Sequence, residues 1–107
     1  MTKETDRELL ELAAKANGHG VEFDSVTGLS WYENKFSALI WNPLHHDADA
    51  LRLAVACRID IHQDPTQVSC DSKYQGHVWE VHDGKNACAA TRRAIVRAAA
   101  EIGKSMP

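Results

Sequence analysis

Between Trp41 and Val55 the chain reads Trp-Asn-Pro-Leu-His-His-Asp-Ala-Asp-Ala-Leu-Arg-Leu-Ala-Val, a stretch that leaves few folds open. Pro43 has no N–H to give to a β-ladder, so a strand that runs up to Trp41 must stop there. Asp47 and Asp49 then stand where a helix can begin. Their carboxylates can accept orphaned backbone N–H groups, and they suit the positive end of the helix dipole. Leu51, Leu53, Ala54 and Val55 make the following turns apolar nearly all round. That pattern predicts a well-buried helix, capped by Asp47 or Asp49 and ending near Cys57. A strand end, a proline break and a buried helix in fifteen residues commit the chain to a mixed α and β architecture.

The flanking sequence fills in the order. Thr5-Asp6-Arg7-Glu8 is a capping-box pattern, and Leu9, Leu12, Ala13 and Ala16 follow at helical spacing, up to a C′ position at Gly18. Val21–Phe23, Leu29–Tyr32 and Phe36–Trp41 read as a three-stranded meander, the last two joined by a compact loop at Glu33-Asn34-Lys35. After the second helix, Arg58–His62 alternates strictly, Gln67–Cys70 is a short strand, and His77–His82 alternates again. In that last strand Val78, Glu80 and His82 lie opposite His77, Trp79 and Val81. A final helix runs from about Ala87 to Gly103. Thr91, Ile95, Ala98 and Ile102 form its inner stripe, and Arg92, Arg93, Arg97 and Glu101 face outward. Seven alanines between Ala87 and Ala100 give it high helix propensity and a thin contact surface. Most strand connections are too short for parallel crossovers. The expected fold is therefore α+β: one domain over residues 1–107, a mainly antiparallel sheet of about five or six strands packed with three helices, in the order α-βββ-α-βββ-α.

Composition narrows the functional classes. At 107 residues, 44% hydrophobic and 25% charged, the chain has the profile of a globular protein with one modest core. No run approaches the ~18 apolar residues of a membrane span. The acidic, helical N-terminus is not the pattern of a signal peptide. Three widely spaced cysteines, Cys57, Cys70 and Cys88, read as reduced thiols of a cytosolic protein. The net charge of −3 is uneven, because residues 84–107 carry five bases and one acid. An acidic total argues against nucleic-acid binding driven by phosphate contacts. The basic last helix is the local exception.

Three segments taken together carry a resemblance. They are Arg7-Glu8-Leu9-Leu10-Glu11-Leu12-Ala13-Ala14-Lys15-Ala16; Trp41-Asn42-Pro43-Leu44 with Asp47-Ala48-Asp49-Ala50-Leu51-Arg52-Leu53-Ala54-Val55; and Ala89-Ala90-Thr91-Arg92-Arg93-Ala94-Ile95-Val96-Arg97-Ala98-Ala99-Ala100-Glu101-Ile102-Gly103. The set resembles small proteins of tailed phages and prophages known as the phage α-β-α sandwich group. Such proteins usually read Asp-Asp-Gly-Asp where this chain has His46-Asp47-Ala48-Asp49. The resemblance implies a phage accessory protein at work in the bacterial cytoplasm, and proteins of this type can inhibit host defence. It transfers no catalytic residue.

The chemistry-bearing residues are few. His45-His46-Asp47-Ala48-Asp49 offers imidazole and carboxylate ligands of the kind that suit zinc or manganese, and a metal there would take His45, His46 and Asp49. His62, His77 and His82 sit on strands that could approach it. Against this reading, adjacent histidines diverge, and both aspartates already have a role at a helix start. No Gly-rich phosphate loop, nucleophile elbow or paired-acid nuclease pattern occurs. Arg92, Arg93 and Arg97 make a basic helix face that is either solvated or a docking surface. Trp31, near a hairpin turn, is the tryptophan expected to be partly exposed, whereas Trp41 and Trp79 are expected in the core. The leading expectation is a non-enzymatic, cofactor-free protein that binds a host or phage protein through Arg92, Arg93, Arg97 and Trp31. Self-association through the alanine-rich helix or a sheet edge is a second use of its surface. The alternative is a small metal- or ligand-binding protein or enzyme centred on His45–Asp49.

Overall fold

The computed structural model describes residues 5–17, 21–24, 28–34, 37–72 and 77–106, with side chains for 5–17, 41–72 and 77–106. Helix α1 spans Asp6–Asn17. It is followed by strands β1 (Val21–Asp24), β2 (Gly28–Asn34) and β3 (Ser37–Ile40). Helix α2 (Asp47–Cys57) leads to β4 (Ile59–Asp64), β5 (Gln67–Ser72) and β6 (His77–Val81), and α3 (Ala87–Lys104) closes the chain. The fold is α+β, but the described residues form no five- or six-stranded sheet. The helices pack with one three-stranded antiparallel sheet, β4-β5-β6, in the order α-α-βββ-α, and β1-β2-β3 pair only with one another. Strand β4 pairs with β5, and no pairing joins it to β3 among the described residues.

Local sequence accounts for the helix ends. The Glu8 N–H donates to Thr5 Oγ1 at 3.1 Å, the forward half of the expected capping box; the Gly18 cap falls outside the described residues. At α2 the expectation needs correction. The N-cap residue is His46, which makes no side-chain capping bond. Asp47 is the first helical residue, and Asp49 turns back to accept the Asn42 N–H at 2.9 Å. That bond ties the loop entering the helix to its first turn, and the Asp49 carboxylate still faces the positive end of the dipole. Arg58 ends α2 in the left-handed region (φ 55°), and its N–H reaches back to the Ala54 and Val55 carbonyls.

Helix α3 is the centre of the molecule. Val96, Ala94, Ala98, Ala99 and Ala100 are fully buried, because α1, α2 and the β4-β5-β6 sheet all close on it. The alanine-rich face expected to serve self-association is thus consumed inside the protomer. The sheet contributes Ile59, Val68, Cys70 and Val78 to this core, α2 contributes Ala50, Leu53, Ala54 and Cys57, and the loop before α2 contributes Trp41 and Leu44. Two burial expectations fail. Helix α2 is amphipathic and not buried all round: Leu51 is 61% and Val55 70% exposed. Trp79, expected in the core, is 56% exposed.

Candidate functional site

The basic helix face is not a free surface. Arg92 donates through Nε to the Leu44 carbonyl at 2.8 Å and through Nη1 to Asp47 at 2.6 Å. It thereby fastens α3 to the loop and first turn of α2. Arg93 pairs with Asp6 at 3.1 Å and ties α3 to the start of α1. Arg97 pairs with Glu80 and also donates to the Trp79 carbonyl at 2.9 Å. All three guanidinium groups are half-buried, so the outward face expected for them is an intramolecular seam. A partner that used them would have to displace these bonds. The side chain of Trp31 lies outside the described residues; its backbone pairs with Val21 and Leu39 in β2.

The 43–49 loop is likewise spent on local bonds. His45 Nδ1 lies 3.1 Å from Asn42 Oδ1, Asp49 holds the Asn42 N–H, and Asp47 holds Arg92. Among the described residues no three His, Cys, Asp or Glu side chains gather as a metal could require, so His45, His46 and Asp49 do not form a ligand set there. His62 and His77 group elsewhere, on either side of Asp71. His62 Nε2 lies 3.2 Å from Asp71 Oδ1, and His77 Nδ1 lies 3.9 Å from Asp71 Oδ2.

That grouping marks the second surface, which comes directly from strand register. Asp60 pairs with Asp71 and Asp71 with His77; His62 pairs with Ser69 and Ser69 with Trp79; Asp64 pairs with Gln67 and Gln67 with Val81. Side chains alternate along a strand, so these nine residues share one face, and Ile59, Ile61, Val68, Cys70 and Val78 share the other. The second face packs on α3. The first is open: Val81 is 74% exposed, and Asp60, His62, Asp64, Gln67, His77 and Trp79 are exposed as well. The His77 and Trp79 rings lie 5.9 Å apart between centroids, tilted by 47°.

A third feature is a mostly apolar cleft of about 380 Å³ between α2, β4 and α3. Ala50, Leu51, Ile61, Ala87 and Ile95 form its walls, and Cys88 lies at its side. The Gln63–Thr91 hydrogen bond, 2.9 Å long, crosses between β4 and α3 within it. The thiols divide by burial. Cys88 is exposed, whereas Cys57 and Cys70 are buried. Burial pushes the Cys57 thiol up from its ordinary value. Burial, with the neighbouring Asp71 carboxylate second, pushes Cys70 up from 9.0 to about 11. A single adduct, at Cys88, is therefore expected when the native protein is treated with iodoacetamide and read by mass spectrometry; adducts at Cys57 or Cys70 without unfolding would contradict the packing. The same burial predicts an alkaline limit. A thiol held protonated by folding stabilises the protein below its unfolded pKa, and that contribution is lost as pH rises from about 9 towards 11.

No protein-family model, curated protein or solved structure gives a significant match to this chain.

Proposed function

We propose that this chain is a phage- or prophage-encoded accessory protein of the bacterial cytoplasm. In this reading it has no catalysis of its own and acts by binding another macromolecule, with a component of host defence as one target. The observation that carries the binding role is the open face of β4-β5-β6, where Trp79 and Val81 stand in solvent at 56% and 74% exposure. Exposed tryptophan is costly to leave in water and is among the residues that dominate interface energetics. The phage context rests on the three-segment resemblance, and among the described residues no helix is long and apolar enough to cross a membrane. The test is capture of partners from a bacterial host with tagged wild-type protein and with Trp79→Ala. Wild type should retain one partner in near-stoichiometric amount, and the variant at least ~10-fold less at unchanged melting temperature, as expected for removal of an interface anchor worth ~1.4 kcal/mol or more. Equal recovery by both proteins, or no partner at all, refutes the reading.

A second reading is binding of a small apolar ligand in the α2–β4–α3 cleft, whose volume lies in the range of ligand sites. Asp47, which belongs to the loop singled out by sequence, lines it. A ligand seated there would shield Cys88 from alkylation.

A further inference from the structure

We propose that the open face of β4-β5-β6 takes a cationic segment of a partner protein, with an Arg or Lys side chain over the Trp79 ring and among the carboxylates of Asp60, Asp64 and Asp71. The inference rests on the macromolecule-binding reading above and adds the chemistry of the partner.

The face is acidic. Its nine register positions carry three aspartates and no lysine or arginine. Asp60 stands directly opposite Asp71 on the neighbouring strand. Like charges in that relation destabilise a sheet. Asp71 has the His62 and His77 rings beside it, whereas Asp60 and Asp64 have no ion-pair partner among the described residues. A repulsive pair kept on a solvent face, beside exposed apolar side chains, is a local violation that a bound cation relieves. Trp is the best aromatic acceptor for a guanidinium or ammonium, and here the indole is exposed and lies within one strand of the acids, since Asp71 pairs with His77 and Ser69 with Trp79.

Other occupants fit less well. Bases could stack on an exposed ring, but their phosphates would meet three carboxylates. A second copy set face to face would place the same aspartates against one another. Addition of a strand at the β6 edge is hindered. The His82 N–H donates to the Thr66 carbonyl, so alternation turns the backbone groups of Trp79 away from β5, towards the free edge. Arg97 already occupies the Trp79 carbonyl there. Such blocking disfavours strand addition at β6.

The test follows backbone amides by NMR while the full-length protein is titrated with hexa-arginine. Amides of His62, Asp71, His77 and Trp79 should shift. Affinity should fall at least ~3-fold in Trp79→Ala and in Trp79→Leu, which keeps apolar area but loses the ring, and at least ~5-fold in the Asp60→Asn/Asp71→Asn double variant. The spectra themselves report that each variant is folded. The proposal is overturned if those amides do not move, if Trp79→Leu binds hexa-arginine like wild type, if hexa-glutamate or a single-stranded oligonucleotide moves the same amides, or if the face proves to be a dimer interface by sedimentation. A host partner that is lost with Trp79→Ala but held at full strength by Asp60→Asn/Asp71→Asn would overturn the cationic chemistry while the macromolecule-binding reading stands. Binding of hexa-arginine without any captured partner would do the reverse.

Discussion

Gly103→Ala should destabilise the protein by about 2 kcal/mol or more, although helix propensity alone predicts a gain of ~1 kcal/mol for the same change in a helix interior. The sign is set by α1. A Cβ at position 103 would stand 2.1 Å from the Leu12 carbonyl oxygen, 2.9 Å from its carbon and 3.3 Å from its Cα. These are backbone atoms of a neighbouring helix, so no side-chain rotation relieves the overlap. The helices would have to separate, and the buried alanines of α3 would lose their contacts with them. Overpacking of this kind typically costs 1–3 kcal/mol and sometimes more, and Gly103→Val should be worse. Urea denaturation of the two variants beside wild type decides the matter. A more stable Gly103→Ala would mean that α1 and α3 are further apart than described.

That close approach was half legible in the sequence. The alanine run of the last helix permits close approach to a sheet or to another helix, with self-association as a second use, but spacing does not name the partner. Periodicity served the elements well where it was strong. The Thr5 cap, the alternation of His77–His82 and the long final helix all follow from spacing. It failed where a residue's partner lies far along the chain. Arg92, Arg93 and Arg97 look like a solvated stripe because Asp47, Asp6 and Glu80 are 45, 87 and 17 residues away. The exposure of Trp79 was recoverable. Asp60, His62 and Asp64 alternate with Ile59 and Ile61, and Ser69 and Asp71 alternate with Val68 and Cys70, so the polar face of the sheet was already marked. Trp79 lies on that face by parity with His77 and Val81. The general tendency of tryptophan to fill small cores gave the wrong answer against this specific pattern. For α2, four apolar residues within five positions suggested burial all round, but only one side of the helix meets α3.

The Arg92→Ala/Arg93→Ala/Arg97→Ala variant should lose about 3–5 kcal/mol, a large share of the 5–15 kcal/mol typical of such domains, although a basic face read from sequence suggests a fold indifferent to these changes. The contributions are unequal. Arg92 is the most buried of the three, with 20% side-chain exposure, and holds two acceptors on a different segment. Its loss leaves the Leu44 carbonyl without its donor, worth ~1.5–3 kcal/mol for a charge-assisted bond. The Arg93–Asp6 pair joins a half-buried guanidinium to an exposed carboxylate and adds at most ~1 kcal/mol. Arg97 neutralises the half-buried Glu80 and caps an edge carbonyl, for ~1–2 kcal/mol after allowance for solvent. The partners are distinct, but Arg93 stands next to Arg92 and one turn from Arg97, so the triple variant can depart from the sum of the single ones. Arg92→Lys should recover little of its share, because an ammonium cannot donate in two fixed directions as the guanidinium does. Thermal and urea melts of the single and triple variants would show this ranking; a triple variant as stable as wild type would mean the bonds are not made in solution. The consequence reaches the functional test. Loss of partner capture on removing the arginines would report unfolding of the α3 seam as readily as loss of a contact, and it would also uncap the β6 edge and invite association of strands. Trp79 and Asp60 sit on solvent with little to lose in the fold, so changes there separate binding from stability where changes at the arginines cannot.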